Sequence, residues 1–286
     1  MIPVLSLIFA LSTTLLEAPE ELHGVPPVSY IYQYQNQYQQ QYQPSSPEEP
    51  DFSWKTNDFS DEGVSVNYRI EGVRSSDTIV RRLGECEELL FRAYMSLPYE
   101  QRSQLTYLRI LWTKNSGRGL GGESAIYIKC NDISSSELAS VFVHEMGHIT
   151  DTGLFEGRSS AGASRFIDNR KKVFSDDPSV AFYSVSWKDS KTMWKGNSSL
   201  DFVSGYAMSD PFEDFAESYN FYLLHGSQFK YLSSFNARLA RKYAYIRDVI
   251  FHGEEFENNS LKLNAKKRSY DSTLLPFSLE KFLNFY

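Results

Sequence analysis

The chain has 286 residues, of which 41% are hydrophobic and 15% aromatic, so it is long enough for one large or two small domains with a packed core. Its formal net charge of −7 argues against a nucleic-acid-binding protein, which normally presents a basic face. The two cysteines, Cys86 and Cys130, are too few for a disulfide scaffold, although they could form one bridge in an oxidising compartment.

The first element in chain order is an apolar run from Ile2 to Leu16. It is shorter than the roughly 20 residues that cross a bilayer, and it fits the core of a signal peptide over residues 1–18. No second run of membrane length follows, so we expect a secreted protein without a stable membrane span. The alternative is a buried N-terminal segment, because no basic residue precedes the run and Pro19 follows it closely.

Residues 19–51 contain the tract "VSYIYQYQNQYQQQYQPSSPEEP". Few of its residues are aliphatic, so folding would bury too little apolar surface to offset the entropy of ordering the chain. We therefore predict a Tyr/Gln/Pro-rich spacer of low complexity before the folded domain. A surface-association role and a removable pro-segment are the alternatives.

The folded domain is predicted to span residues 52–255. Apolar residues recur at helical spacing in residues 77–98, where a proline ends the pattern. Residues 105–113 are rich in β-branched and aromatic side chains and predict a strand, and residues 124–130 predict a second one. The stretch "KNSGRGLGG" between these strands is typical of a turn or loop.

The second half of the domain begins with a helix predicted over residues 136–150. Ser134 and Glu137 have the spacing of a capping box, and an apolar stripe at helical spacing follows them. Residues 151–205 have no clear periodicity and are predicted to be irregular.

A further helix is predicted to begin at Asp210, whose carboxylate can cap it, with Pro211 in its first turn and Gly226 at its end. Residues 229–251 predict another helix. Residues 256–286 are polar on average and are predicted to form a C-terminal tail.

The motif "HEMGH" places His144 and His148 four residues apart, on one face of a helix, so both imidazoles can bind one metal ion. Zinc accepts imidazole nitrogen readily and keeps one coordination position for water in catalytic sites. Glu145 is rotated away from the pair but lies beside it, where it can take a proton from that water. The alternative is an ordinary amphipathic helix with polar residues on its solvent face.

Two glutamates downstream offer the missing parts of such a site. Glu213 and Glu217 are four residues apart on one helical face, so one can bind the metal and the other can hold a ligand histidine by its second N–H. Asp214 points elsewhere on the helix and is predicted to be solvated. Taken alone, this acidic cluster indicates compensation of the helix dipole, but the upstream motif favours the metal site.

The pattern of a tyrosine, six residues, a glutamate, three residues and a second glutamate, from Tyr206 to Glu217, lies downstream of the HExxH motif. It resembles the zinc metalloprotease domain of anthrax lethal factor and its bacterial relatives, the Pro-Pro endopeptidases, over roughly residues 105–251. The resemblance implies an α+β, zincin-like domain with a small mixed sheet, an active-site helix and a mostly helical C-terminal part. The stretch from His148 to Glu213 is longer than expected from those relatives, and an insertion there could cover the cleft or alter specificity.

Carried over to this sequence, the resemblance implies one zinc ion per chain held by three ligands, namely His144, His148 and Glu213. It also implies that Glu145 is the general base and that Tyr206 donates a hydrogen bond to the oxyanion. Glu217 would orient the ring of His144.

The sequence therefore predicts a secreted, monomeric zinc endopeptidase that acts on protein or peptide substrates. The strand at residues 124–130, just before the motif helix, is expected to form the edge of the cleft and to bind an extended peptide by β-addition. Two alternatives stay open: a catalytically inactive surface or binding protein of the same fold, and a zinc hydrolase that acts on a non-peptide bond.

Overall fold

The computed structural model describes residue 59 and residues 62–70, 77–113, 116–256 and 266–285. The predicted signal peptide and the predicted spacer, residues 1–51, lie outside the described residues. In the part of the chain that is described, no helix combines the length and apolarity needed to cross a membrane.

The main sheet consists of four strands, β1 (Ser65–Ile70), β2 (Tyr107–Trp112), β3 (Gly119–Gly122) and β4 (Ala125–Lys129). Their order across the sheet is β1–β2–β4–β3. The first three in this order run parallel, and β3 pairs antiparallel with β4 at the edge. Alternate residues of β2 and β4 point into the core, since the side chains along a strand alternate between its two faces.

The position of β3 corrects two predictions. The glycine-rich stretch expected to be a loop contains a strand, and residues 124–130 form an interior strand rather than the edge of the sheet. A tight turn folds β3 back onto β4. The backbone of β3 therefore pairs with the side of β4 that was predicted to bind a peptide. Glycine is disfavoured inside strands, so local propensity hid β3.

The helices are α1 (Asp77–Met95), α2 (Tyr99–Arg102), α3 (Ser135–Ile149), α4 (Ser179–Ser186), α5 (Pro211–Ser233), α6 (Ala237–Tyr245) and α7 (Leu279–Phe282). α3 packs against the sheet on one side and against α5 on the other. Because both helices are enclosed, most residues of α3 and of α5 are buried. The small sheets combined with these helices confirm the predicted α+β fold.

The two central helices begin at the predicted caps. Ser134 accepts a hydrogen bond from the backbone N–H of Glu137 at 3.2 Å, while the carboxylate of Glu137 binds Arg118 at 3.0 Å instead of completing the capping box. Asp210 accepts from two backbone N–H groups in the first turn of α5 at 2.9 Å each. Local sequence therefore fixes where both helices start.

The predicted end of α5 is wrong, because the helix continues past Gly226 to Ser233 through a kink at His225. A β carbon at Gly226 would overlap the carbonyl oxygen of Phe256, so this glycine permits a close contact rather than ending the helix. Residues 229–251, predicted as one helix, hold the end of α5, a break and α6, because an asparagine caps a new helix start.

Residues 151–205, predicted to be irregular, form short elements. β5 (Ala163–Asp168) pairs antiparallel with β6 (Lys171–Phe174), and β7 (Trp187–Asp189) pairs with β8 (Thr192–Met193). α4 lies between these two hairpins. The elements are too short to give a sustained hydrophobic period, which is why the sequence did not predict them.

The described part of the predicted polar tail packs against the domain. Phe282 on α7 is fully buried, and its ring contacts Phe285, which in turn contacts Phe256. Ser272 is also fully buried. A few aromatic residues thus hold this segment against the domain although its average composition is polar. The domain boundary near residue 255 stays a prediction.

Cys86 on α1 and Cys130 at the end of β4 form a disulfide, with Cα atoms 6.2 Å apart. This separation lies in the usual range for disulfides. The bridge ties α1 to the sheet shortly before α3 begins. The pairing that the sequence left open is therefore made in the structure.

His225, at the kink of α5, should make the protein less stable in mild acid. It is buried between the rings of Phe221 and Phe277, and neither ring nitrogen has a hydrogen-bond partner among the described residues. Burial lowers the pKa of His225 from 6.5 to about 4. Between these values the unfolded chain binds the extra proton, so the free energy of unfolding should fall by up to about 3 kcal/mol as the pH drops from 6.5 to 4.

Denaturant unfolding of wild type and His225→Phe at several pH values measures this contribution. The variant should lose less stability in acid than wild type, since phenylalanine keeps the aromatic packing and cannot be protonated. The same pH dependence in both proteins would contradict the prediction.

Candidate active site

The candidate site lies where α3 crosses α5. A β carbon at Gly147 of α3 would lie 2.8 Å from the Cα atom of Ala216 of α5, so only glycine allows the two helices to approach this closely. The crossing turns the histidines of the HExxH motif toward the first turn of α5, where Glu213 lies.

The three predicted metal ligands converge at this crossing. Nε2 of His144 lies 3.2 Å from Oε2 of Glu213, and Nε2 of His148 lies 3.5 Å from the same oxygen. The three candidate ligand atoms all lie within 4.8 Å of one another. Ligands about 2.0–2.1 Å from a tetrahedral zinc ion are about 3.3 Å apart, so the spacing and the nitrogen and oxygen donors fit zinc.

The charges of the cluster also suit a bound cation. Burial favours a lower pKa for His144, but its hydrogen bonds to Glu213 and Glu217 raise the pKa well above its ordinary value. Burial favours a higher pKa for Glu213, but the charge of His148 and hydrogen bonds from both histidines lower the pKa well below its usual range. A divalent cation bound here would compete with protons for the histidine nitrogens and would balance the charge of Glu213.

Glu217 lies on the opposite side of the His144 ring from Glu213. Its Oε1 is 3.0 Å from Nδ1 of His144, and its Oε2 accepts a hydrogen bond from the backbone N–H of Ser272 at 3.0 Å. The carboxylate is fully buried. The ring of His144 is therefore held between two carboxylates, one on each nitrogen.

The carboxylate of Glu145 lies beside the cluster and against β3. Burial raises the pKa of Glu145, while the charges of His144 and His148 and a hydrogen bond from the backbone of Gly121 oppose this rise. A β carbon at Gly119 would overlap Oε1 of Glu145, and one at Gly121 would lie 3.0 Å from Oε2. The glycines of β3, in a stretch predicted to be a loop, thus make room for this carboxylate.

Tyr206 reaches the cluster from a short 3-10 turn, Tyr206–Met208, just before α5. Its hydroxyl donates a hydrogen bond to Oε1 of Glu213 at 3.1 Å, and its ring centroid is 6.1 Å from that of His144. The charge of Glu213 and burial raise the pKa of Tyr206 well above its ordinary value. The hydroxyl therefore keeps its proton and remains a donor at neutral pH.

Asp214 was predicted to be solvated, and this prediction is wrong. The side chain is fully buried in an ion pair. Its carboxylate lies 2.6 Å from Nζ of Lys242 on α6, and it accepts a hydrogen bond from Nε1 of Trp187 at 3.0 Å. Both partners lie far from Asp214 in sequence, so no local pattern indicated them. The side chain anchors α6 and β7 to α5 and lies outside the metal cluster.

A cavity of about 500 Å³ lies beside the residues that follow His148 and precede Glu213, although the three candidate ligands are not part of its lining. Its walls include the turn after His148, the β5–β6 hairpin and Phe212, which precedes Glu213. Asp168, at the end of β5, lines this cavity. Burial raises the pKa of Asp168, while the charge of His148 lowers it and the charge of Glu213 raises it further. The stretch 151–205 therefore supplies one wall of the cavity next to the site.

An α+β fold that presents an HExxH helix and a candidate third ligand from a later long helix defines a candidate metal-dependent hydrolase. Residues 137–283 match the family described as "Putative zinc-binding metallo-peptidase". The match covers just over half of the chain and includes α5 and all but the first two residues of α3, the helices on which the candidate ligands lie. The chain belongs to this family. Neither the curated proteins nor the solved structures gave a significant match.

Proposed function

We propose that the protein is a secreted zinc-dependent endopeptidase. The observation that carries the proposal is the convergence of Nε2 of His144, Nε2 of His148 and Oε2 of Glu213 within 4.8 Å of one another, beside the buried carboxylate of Glu145. Membership in a family of zinc-binding metallo-peptidases supports the same activity.

His144, His148 and Glu213 would hold the zinc ion. When bound, zinc supplies a Lewis acid that polarises the scissile carbonyl and acidifies the attacking water. Glu145 accepts the proton of that water at its carboxylate and passes it to the leaving amine. The hydroxyl of Tyr206 donates a hydrogen bond to the developing oxyanion and keeps its proton. A donor positioned at this oxygen stabilises the transition state most.

The substrate-binding edge that we propose is β3. Among the described residues, β3 is an edge strand of the main sheet, and the carboxylate of Glu145 lies directly against it. An extended peptide added to β3 by backbone hydrogen bonds would pass next to Glu145. This placement, which moves the predicted edge from β4 to β3, favours a peptide over a small-molecule substrate.

Within the wider family, we propose a site of the lethal factor and Pro-Pro endopeptidase type. The hydroxyl of Tyr206 beside Glu213 and the carboxylate of Glu217 behind His144 support this assignment. Substrate preference is not carried over, because the β5–β6 hairpin in the longer stretch 151–205 lines the adjoining cavity.

Secretion is supported by the apolar run in residues 1–18 and by the disulfide between Cys86 and Cys130, since disulfides persist mainly in oxidising compartments. Mass spectrometry of the mature protein tests it. We expect an N-terminus near Pro19, whereas a mature chain that retains Met1 would contradict secretion through a cleaved signal peptide.

The proposed activity is tested by metal analysis together with cleavage of a peptide library. Wild type should carry about one zinc ion per chain and cut internal peptide bonds; a chelator should remove both properties, and added zinc should restore them. Protein without stoichiometric zinc would overturn the proposal. Bound zinc without peptide cleavage would favour a non-peptide hydrolase or an inactive binding protein.

Gly121→Ala should lower kcat by about 10²-fold while zinc content stays unchanged, because a misplacement of about 1 Å can cost this much. The new β carbon would lie 2.7 Å from the backbone carbonyl oxygen of Glu145 and 3.0 Å from its Cβ and Oε2, so β3 and Glu145 would have to move apart. Gly122→Ala is the matched control, since a β carbon there meets nothing within 4 Å. Equal kcat values for the two variants would show that β3 does not position Glu145.

A further inference from the structure

Residues 268–273, which we call the C-terminal strap, run alongside the candidate site. The backbone N–H of Gly205 donates to the carbonyl of Ser269 at 2.8 Å, and that of Tyr206 donates to the carbonyl of Tyr270 at 2.6 Å. The rings of Tyr206 and Tyr270 also lie 6.2 Å apart, centroid to centroid. The strap therefore fixes the backbone of the turn that presents the Tyr206 hydroxyl.

The same strap reaches the carboxylate behind His144. The backbone N–H of Ser272 donates to Oε2 of Glu217 at 3.0 Å, and the Ser272 hydroxyl donates to Oδ1 of Asn220 at 3.1 Å. The other oxygen of Glu217 is 3.0 Å from Nδ1 of His144. A fully buried carboxylate is costly without hydrogen-bond partners, so the Ser272 N–H helps to keep Glu217 in place.

One arginine fastens the strap to α3, which carries the candidate base, and to β3, which lies against that base. Arg118 directly precedes β3, and its guanidinium binds the carboxylate of Asp271 and donates to Oγ1 of Thr273 at 2.8 Å. The same side chain donates to Oε1 of Glu137, in the first turn of α3, at 3.0 Å. The half-exposed guanidinium of Arg118 thus connects the strap to β3 and to α3.

We propose that the strap is a positioning element of the active site, through which Arg118 and the Ser272 N–H set the orientation of Glu217 and thereby of His144. The proposal rests on the proposed function. It differs from a purely structural role in one respect: loosening the strap should weaken metal binding and change the geometry at the metal in a protein that is still folded.

Substitutions at Ser272 separate the backbone contact from the side-chain contact. Ser272→Pro removes the N–H that Glu217 accepts, and proline suits the first position of the 3-10 turn Ser272–Leu274, because Asp271 before it is extended, with ψ 124°. Ser272→Ala keeps this N–H and removes only the hydroxyl. We expect zinc affinity about 10–100-fold weaker in Ser272→Pro and close to wild type in Ser272→Ala.

Arg118→Ala tests the fastening of the strap without altering a buried residue. We expect zinc affinity about tenfold weaker, in the range measured for partners of metal ligands, and an altered visible spectrum of the cobalt-substituted protein. Arg81→Ala is the matched control, because Arg81 pairs with Glu85 on the exposed face of α1 and with no other acidic side chain among the described residues. Arg118→Lys should restore part of the affinity, since lysine keeps the charge but not the paired hydrogen bonds.

The readout is zinc affinity, measured by competition with a chelator, in variants whose unfolding transitions show that they are folded. Wild-type affinity and an unchanged cobalt spectrum in both Ser272→Pro and Arg118→Ala would overturn the proposal. If Ser272→Pro does not fold, Arg118→Ala decides alone. If wild type binds zinc but cuts no peptide, the peptidase proposal fails, whereas the zinc affinities still decide the role of the strap.

Discussion

Glu145→Gln is expected to leave zinc bound and to reduce kcat for peptide cleavage by about 10²–10⁴-fold, the usual contribution of a general base. The side chain of Glu145 lies beside the three converging ligand atoms and is not one of them. Glutamine has nearly the same shape, so it can fill the space against β3, but it cannot accept the proton of the attacking water.

The measurement pairs zinc content with initial rates on a cleaved peptide. Glu88→Gln is the control, because Glu88 is exposed on α1, away from the site, and its substitution should change neither quantity. Activity retained in Glu145→Gln would mean that another group is the base. Loss of zinc together with activity would mean that Glu145 helps to hold the metal.

Glu213→Ala and Asp214→Ala should fail in different ways although the residues are neighbours. Glu213→Ala removes the only carboxylate oxygen of the ligand cluster and should abolish stoichiometric zinc binding while the metal-free protein stays folded. Asp214→Ala leaves Lys242 buried without its carboxylate, and breaking such a buried pair costs about 3–5 kcal/mol. Its main effect should therefore be on the free energy of unfolding.

Zinc titration and denaturant unfolding of the metal-free variants distinguish these two outcomes. The double variant Asp214→Leu/Lys242→Met should recover much of the stability lost in Asp214→Ala, because replacing both members of a buried pair removes the unpaired charge. Equal loss of zinc in the two single variants, with both still folded, would show that the third ligand has been assigned to the wrong residue.

The site depends on several elements that hold a few side chains from different directions. α3 supplies the histidines and the candidate base, and Gly147 lets α5 come close enough to add Glu213. The glycines of β3 leave room for Glu145, and the strap holds the far side of Glu217. Preorganised groups of this kind matter because a small displacement at the reacting centre has a large effect on rate.

The parts of the site that depend on local helical geometry could be predicted from the sequence alone. Residues four apart share a helix face, so the spacing of His144 and His148, and that of Glu213 and Glu217, predicted which side chains could meet at one point. The caps at Ser134 and Asp210 were equally local, because each contacts backbone N–H groups only two or three residues away.

The contacts between residues far apart in the chain could not be predicted and are seen in the folded structure. Arg118 binds Thr273, 155 positions away, and Asp214 pairs with Lys242, 28 positions away. The edge strand β3 follows the same rule, because its glycines are explained by a carboxylate on α3 and not by any propensity of the strand itself. Such contacts leave no periodic signal, since they depend on how the finished elements pack and on which buried polar groups must find partners.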